Sequence, residues 1–474
     1  MAESDAAGFD AELYLRLTGE RTLLDRGGND GRPWDSPLAE AARALVAVGM
    51  MTADTAQAVL EDYLLALSYR EDQHHRHHLM AWRATRSPAA PHPGLAALRT
   101  VPCGRMIEQP WGQLIIKYVV LGGEVTTLHV TMRPAPPPPT GQPARQAAGQ
   151  PVRRPARAAI MSARAGRARG PGGGTGLGGH TVGPGLPGLL ALTDDRGTTM
   201  NAGFSGSGDG TDWTGSFEAD PPLARDTAWI EVLGERVELA SEPGAGAEVW
   251  VEPLAEQDPA RRYLWARLAS VTGQHTPNAI EATIDTLVAA GALAPDDPVI
   301  GQAQAVLARI SHSPGGPGSH APLPEPWQSL LAGRSRGGGP AGPTGLAVVG
   351  AVTPPFEGIT VAVLAVQSTE DEFSLDVEVT PGVAHWHAFR GPVEEPILAW
   401  WAADDRGHHY LGQQGSWQAS EDRSGGQIEF TPALDPAAST LDIMPTGTSS
   451  RAVIRVPLAW DEAMQDEAMQ GEEG

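Results

Sequence analysis

Apolar residues recur with two distinct periods along this chain. Between Phe373 and Val379 they alternate, with Phe373, Leu375, Val377 and Val379 on one face and Ser374, Asp376 and Glu378 on the other. A period of two marks a half-buried strand whose apolar set meets a core and whose polar set meets water. The runs LIIKYVVL (114–121), VTTLHVTM (125–132) and ITVAVLAV (359–366) also read as strands. Gly, Pro and Asp punctuate such runs at intervals of about ten residues, a spacing that predicts β-sandwiches, with an immunoglobulin-like arrangement as the favoured variant. The second period is helical. It covers EAARALVAVGMMTADTAQAVL (40–60) and EATIDTLVAAGALAPDDPVIGQAQAVL (281–307), each read as a helical hairpin.

Those two helical segments resemble each other. Leu45-Val46 matches Leu287-Val288, Gly49 matches Gly291, and AQAVL occurs at 56–60 and again at 303–307. Each first helix opens on a hydroxyl residue and proline, Ser36-Pro37 or Thr276-Pro277. The hydroxyl can take an orphan N–H, and proline at the first helical position has no N–H to leave unpaired. Gly49 and Gly291 then suit a left-handed C-cap. A second match sets Pro110-Trp111 and its strands beside Pro355-Phe356 and its strands. A third pairs Asp194-Asp195-Arg196-Gly197 with Asp404-Asp405-Arg406-Gly407, each followed by Pro-x-Leu at Pro221–Leu223 or Pro432–Leu434. Ordered matches of this kind predict an internal duplication. The expected fold is α+β, a tandem repeat of a helical hairpin and an antiparallel sandwich. The expected divisions are a first helical region (1–99), a first sandwich (100–254), a second hairpin (255–312), a linker (313–345), a second sandwich (346–460) and an acidic tail (461–474).

Length and composition fit that division, since 474 residues exceed what a single core organises. The chain has 57 Gly and 42 Pro, which implies many turns and irregular stretches. Lys117 is the only lysine, so the basic residues are otherwise arginine. Together with the wealth of Ala, Gly and Pro, this bias points to a GC-rich coding sequence. A net charge of −23 disfavours nucleic acid and anionic membranes unless basic charge is locally concentrated. Cys103 stands alone, which excludes an intrachain disulfide and fits a reducing compartment. The first residues lack a basic region followed by an apolar stretch, and no run is long enough to span a bilayer, so a cytoplasmic location is expected.

Basic charge is concentrated in one place, residues 134–185. Arg145, Arg153, Arg154, Arg157, Arg164, Arg167 and Arg169 lie there among Pro and Gly, and no acidic residue occurs from Val125 to Thr193. Such a composition buries too little apolar surface to offset its ordering entropy, and it predicts an insert without regular structure. Three readings fit it: a solvated loop, a frame-shifted stretch of GC-rich DNA, and a basic arm for nucleic acid or an acidic partner.

Candidate chemistry is sparse. In HHRHH, His74 and His78 stand at i and i+4, a spacing that can place two imidazoles on one metal. The alternative is a polar helix end. His385 and His387 flank Trp386 and would share one face of a strand, with His408 and His409 following the second Asp-Asp-Arg-Gly. The first tetrapeptide is followed instead by Thr198 and Thr199, so the repeat does not share a histidine site. The tetrapeptide reads as a hairpin turn, with Asp capping and Gly at positive φ. Asp209 and Asp212 lack the oxygen-rich spacing of a calcium loop. Of Trp400 and Trp401, one should enter the core. The other would contact a partner or a sugar, or lie beneath the helical hairpin; Trp417 adds to this aromatic excess. Walker-type nucleotide binding, a kinase lysine and a serine elbow are excluded by the missing motifs. Cys103, without paired cysteine or nearby His, reads as a packed thiol.

The expectation is therefore a cytoplasmic binding or scaffolding protein whose partner is another protein, with no membrane partner, no cofactor, no metal and no assigned catalytic residue. A metal-dependent enzyme built on the histidine clusters is the alternative, and nucleic-acid contact through the basic insert is weaker.

Overall fold

The computed structural model describes residues 9–24, 37–70, 98–122, 125–135, 187–208, 213–239, 246–271, 277–311, 323–334, 342–380, 397–419 and 424–458. It mixes α-helices with antiparallel sheets. It divides into a smaller unit, Cys103–Val119 with Val125–Ala240, and a larger one, Met1–Pro102 with Val120–Glu124 and Ser241–Gly474. The basic insert, apart from residues 134 and 135, and the acidic tail lie outside the described residues.

The smaller unit is built on eight strands: β1 (Arg99–Gln109), β2 (Gly112–Leu121), β3 (Thr126–Pro134), β4 (Leu189–Asp194), β5 (Thr199–Gly208), β6 (Trp213–Asp220), β7 (Trp229–Val232) and β8 (Glu235–Glu238). They form one sheet in the order β1-β2-β3-β6-β5-β4-β7-β8. Arg105 on β1 and Glu235 on β8 form an ion pair at 3.5 Å. These strands end the order on opposite sides, so the sheet curls until its edges approach, close to a barrel. Leu114, Ile116, Tyr118, Leu128, Val130, Phe217 and Ile230 are buried in it.

The larger unit has seven described helices: α1 (Ala11–Leu24), α2 (Pro37–Ala47), α3 (Ala53–Arg70), α4 (Pro259–Val271), α5 (Pro277–Ala289), α6 (Pro298–Ser311) and α7 (Trp327–Arg334). Four of them, α2, α4, α5 and α6, open on proline. Ser36 and Thr276, the expected hydroxyl caps, lie outside the described residues. Elsewhere carboxylates do that work: Asp10 Oδ1 accepts the Leu13 N–H and Asp258 Oδ1 the Arg261 N–H, both at 3.0 Å. Helices α2 and α5 end alike, with Gly49 at φ 74° and Gly291 at φ 70°. Met50 N–H donates to Leu45 O and Ala292 N–H to Leu287 O, each at 2.9 Å, closing two Schellman motifs.

Ten strands complete the larger unit: β9 (Glu248–Pro253), β10 (Gly345–Val352), β11 (Thr360–Ser368), β12 (Phe373–Thr380), β13 (Ala399–Asp404), β14 (His409–Leu411), β15 (Gln413–Ala419), β16 (Ser424–Phe430), β17 (Thr440–Thr446) and β18 (Ser450–Pro457). They form two sheets, β10-β11-β12-β16-β15 and β14-β13-β17-β18-β9. One core serves both, with Val361, Val363, Phe373 and Leu375 from the first and Trp400, Ala402, Leu441 and Ile454 from the second. The other face of the second sheet is also covered: Trp401, Leu411, Met444 and Val453 share a core with α4 to α7. The order is thus helices, sheet, sheet. Fully burying a side chain of this kind contributes about 1.5–3 kcal/mol, so the doubly covered sheet anchors the unit.

Three expectations change. β9, grouped by sequence with the first sandwich, pairs with β18 (Val249 opposite Ile454), because an unpaired edge accepts any extended segment within reach. The supposed linker contains α7: Trp327, Leu330 and Leu331 are buried, an i, i+3, i+4 stripe, and Leu323 is buried just ahead of the helix, between Gly- and Pro-rich flanks. Glu378, expected in water, is 8 % exposed. Its cross-strand neighbour is Gly425, which has no side chain to hold it off the sheet. Trp400 and Trp401 point to opposite faces as the strand period requires: Trp400 enters the core between the sheets and Trp401 lies beneath the helices, the second of the two places the sequence offered it, so neither gives an exposed contact. Among the described residues, no helix is long and apolar enough to cross a membrane.

Candidate functional site

The two Asp-Asp-Arg-Gly tetrapeptides are hairpin turns of closely similar construction. In the smaller unit, Asp194 Oδ1 accepts the N–H groups of Arg196 (3.0 Å) and Thr198 (2.6 Å). Asp194 N–H donates to Thr198 O, and Gly197 N–H donates back to Asp194 O. In the larger unit, Asp404 Oδ1 accepts the N–H groups of Arg406 (3.0 Å) and His408 (2.9 Å), with the same main-chain pair to His408 O and from Gly407. Gly197 and Gly407 have φ of 77° and 84°, a region open to glycine at little cost. The second aspartate ties each turn to the residue just ahead of a later strand, β7 or β17: Asp195 Oδ2 accepts Ala228 N–H at 2.8 Å, and Asp405 Oδ1 accepts Ser439 N–H at 3.0 Å.

The turns differ in what else reaches the first aspartate. Asp404 Oδ2 accepts the Tyr410 hydroxyl at 2.8 Å and lies 3.0 Å from His408 Nδ1. The Asp404 side chain is fully buried and His408 is 34 % exposed. A carboxylate only accepts hydrogen bonds, so Nδ1 carries the proton, and a neutral His408 ring keeps its lone pair on Nε2. Asp435 lies 3.8 Å from the same Nδ1. Burial first, and then the Asp404 charge, push the Tyr410 phenol up and keep it protonated. Burial also pulls the neighbouring His409 below its ordinary value, and His409 Nδ1 is enclosed without a hydrogen-bond partner among the described residues. Such a carboxylate–imidazole pair can hold or pass a proton.

Of the sequence candidates among the described residues, the structure brings together His408 and Asp404. His74, His78, His385, His387, Asp209 and Asp212 lie outside the described residues. Among the described residues no group of three His, Cys, Asp or Glu side chains is placed to hold a metal ion. Cys103 is half-buried, and burial pushes its thiol up to about 12, so it carries little thiolate at neutral pH. Trp417 is partly buried against the core between the two sheets. Tyr410 and Asp435 were missed by sequence reasoning. The alternation of β14 places Tyr410 inward, but nothing local in the sequence signals its aspartate.

No protein-family model matches the chain, and no curated protein does. Among solved structures, the chain is similar to a conserved domain protein from Bacillus anthracis at 8 % identity, over 73 % of this chain and 77 % of that one, with a TM-score of 0.17. A likeness so slight carries no argument about fold or function.

Proposed function

We propose that this is a cytoplasmic, non-enzymatic binding or scaffolding protein made of two repeated units, with another protein as its partner. The observation that carries the reading is the spending of the repeated Asp-Asp-Arg-Gly motif on the fold itself. In both turns Oδ1 of the first aspartate is taken up by two main-chain N–H groups, which is what structural aspartates do. Supporting the duplication are the paired Schellman motifs, the aspartate caps of α1 and α4, and the tethers from Asp195 and Asp405. The strand orders agree as well, if β14 and β15 are taken as one strand broken at Gly412 and β9 as an addition. Within each copy the three opening strands lie side by side, which favours a connectivity other than the immunoglobulin one, where the third strand crosses to the opposite sheet.

The test is chromatography of the full chain mixed with extract of its own host, followed by cross-linking mass spectrometry. A protein that co-elutes in fixed ratio and cross-links at a defined surface supports the proposal. A transition metal retained at near one per chain sinks it. The second reading, an enzyme, draws on the Asp404–His408 pair. It requires a turnover that His408→Gln removes while leaving the fold unchanged.

A further inference from the structure

The turn joining β17 to β18 surrounds a carboxylate from elsewhere in the chain. Glu357 lies in the turn between β10 and β11, and both of its oxygens are taken up by residues 448–450. Oε2 accepts the N–H (2.8 Å) and the hydroxyl (2.9 Å) of Thr448. Oε1 accepts the N–H groups of Ser449 (2.5 Å) and Ser450 (2.7 Å) and the hydroxyls of Ser449 (2.9 Å) and Ser450 (3.2 Å). Consecutive main-chain N–H groups converging on one point form an anion-binding concavity.

Two features mark this as a receptor and its ligand. A Cβ on Gly447 would lie 2.5 Å from the Glu357 carboxyl carbon, so the residue before the donors must be glycine for a carboxylate to sit there. Glu357 itself has φ 48°, one of two positive-φ residues other than glycine among the described residues. With Gly358 at φ 78° it forms the centre of a two-residue hairpin closed by Phe356 and Ile359, a turn that needs positive φ at both positions, and the six donors fasten the side chain that this turn presents. The loop is also braced from a third side, since Leu254 N–H donates to Ser449 O at 3.0 Å.

We propose that the Gly447–Ser450 turn is a carboxylate-binding site in its own right, that Glu357 is its internal ligand, and that a free carboxylate fills it once that side chain is removed. The ligand class follows from the donor pattern. One oxygen is served by Thr448 and the other by Ser449 and Ser450, which suits a planar two-oxygen group better than a tetrahedral anion. Glu357 is tethered, and a tethered group acts at an effective concentration in about the millimolar range or above. The intact chain therefore ignores dilute external carboxylates. Glu357 is an exposed residue, so a small anion can reach the site in its absence.

The experiment is chemical rescue in the full-length protein. Glu357→Gly suits the positive φ and empties the receptor. Thermal midpoints are measured in sodium chloride, acetate, formate and phosphate at equal ionic strength. The variant is expected to melt below the wild type and to recover part of the loss in acetate and formate. That recovery should saturate, be absent in chloride, small in phosphate and absent in the wild type. An equal response of both proteins, or no specific response, overturns the proposal. Phosphate matching acetate overturns the assignment of the ligand class. Adding Gly447→Ala to the variant places a methyl in the cradle and should abolish the rescue; a rescue that persists there also overturns it. Should Glu357→Gly fail to fold in chloride, the yield of soluble protein on refolding in acetate against chloride is the readout, and equal yields count against the site.

Discussion

The Glu40 carboxylate on α2 is gripped by the Arg267 guanidinium on α4, Nε to Oε2 at 2.8 Å and Nη2 to Oε1 at 2.5 Å. The side chains are 1 % and 13 % exposed, and Arg43 adds a third bond to Oε1 at 2.7 Å. A buried fork of this kind joins the N-terminal helices to those that follow residue 258. Removing one partner strands a charge away from water, at a cost of about 3–5 kcal/mol. Arg267→Met should therefore lower the stability of the larger unit by that amount in urea unfolding. A double-mutant cycle with Glu40→Ala and Arg267→Ala should show a coupling of about 2–3 kcal/mol. Coupling below about 0.5 kcal/mol would mean that the fork adds nothing beyond packing.

Acid should weaken the larger unit in two separable steps. Burial pushes the Glu40 carboxyl up, but Arg267 and Arg43 outweigh it and hold the group below its ordinary value. Burial likewise raises Glu357, and the N–H groups of Thr448, Ser449 and Ser450 bring it below. Both glutamates thus contribute stability that is present above the unfolded value, about 4.3, and lost as pH falls through the folded one. His409 is lowered by burial, so the folded state resists its protonation. Its contribution is present above about pH 6.5 and fades below that. In urea midpoints taken from pH 8 to 3, His409→Leu should flatten the upper step, and Glu357→Gln should flatten part of the lower one. A profile unchanged by both variants would contradict the assignment.

Helix α7 marks where the sequence stopped being legible. Pro37 and Pro277 announce helix starts, Gly49 and Gly291 announce their ends, and the alternation from Phe373 to Val379 announces a strand; each signal lies within a few residues. The buried stripe of Leu323, Trp327, Leu330 and Leu331 is just as local, but Gly and Pro on both sides obscure it. What no local pattern carries is partnership across the chain. Glu357 meets residues 91 to 93 positions away, Glu40 meets one 227 away, and β9 joins a sheet whose other strands come more than a hundred residues later. Such choices are made by packing after the elements exist. The Asp404–Tyr410 bond was hidden for a smaller reason, since a tyrosine six residues from an aspartate has many other options.

Trp327 tests the role of α7 directly. It is 3 % exposed and meets Trp401 edge-to-face, with ring centroids 5.0 Å apart. Trp327→Ala should cost about 3–5 kcal/mol, as expected for removing a large ring from a core. A segment serving only as a linker would tolerate the change with almost none. Urea unfolding decides between the two outcomes.

The two turns, finally, predict unequal consequences from the same substitution. Asp194→Ala leaves the N–H groups of Arg196 and Thr198 without their acceptor, but both sit where water can replace it, so the expected loss is about 1–2 kcal/mol. Asp404→Ala removes an acceptor for two N–H groups, for the buried Tyr410 hydroxyl and for His408, and should cost about 3 kcal/mol or more. Hydrogen exchange of the turn amides, read by mass spectrometry along a urea series, reports each turn separately. Equal losses would mean that Tyr410 and His408 do not lean on Asp404. His408→Gln completes the argument, because a ring one-third exposed should give up little, within about 0.5 kcal/mol. With His408→Gln nearly neutral and Asp404→Ala costly, the carboxylate serves the fold, as the binding-protein reading requires. If His408→Gln is neutral for stability and yet abolishes a turnover, Asp404 is orienting a working imidazole, and the chain is an enzyme.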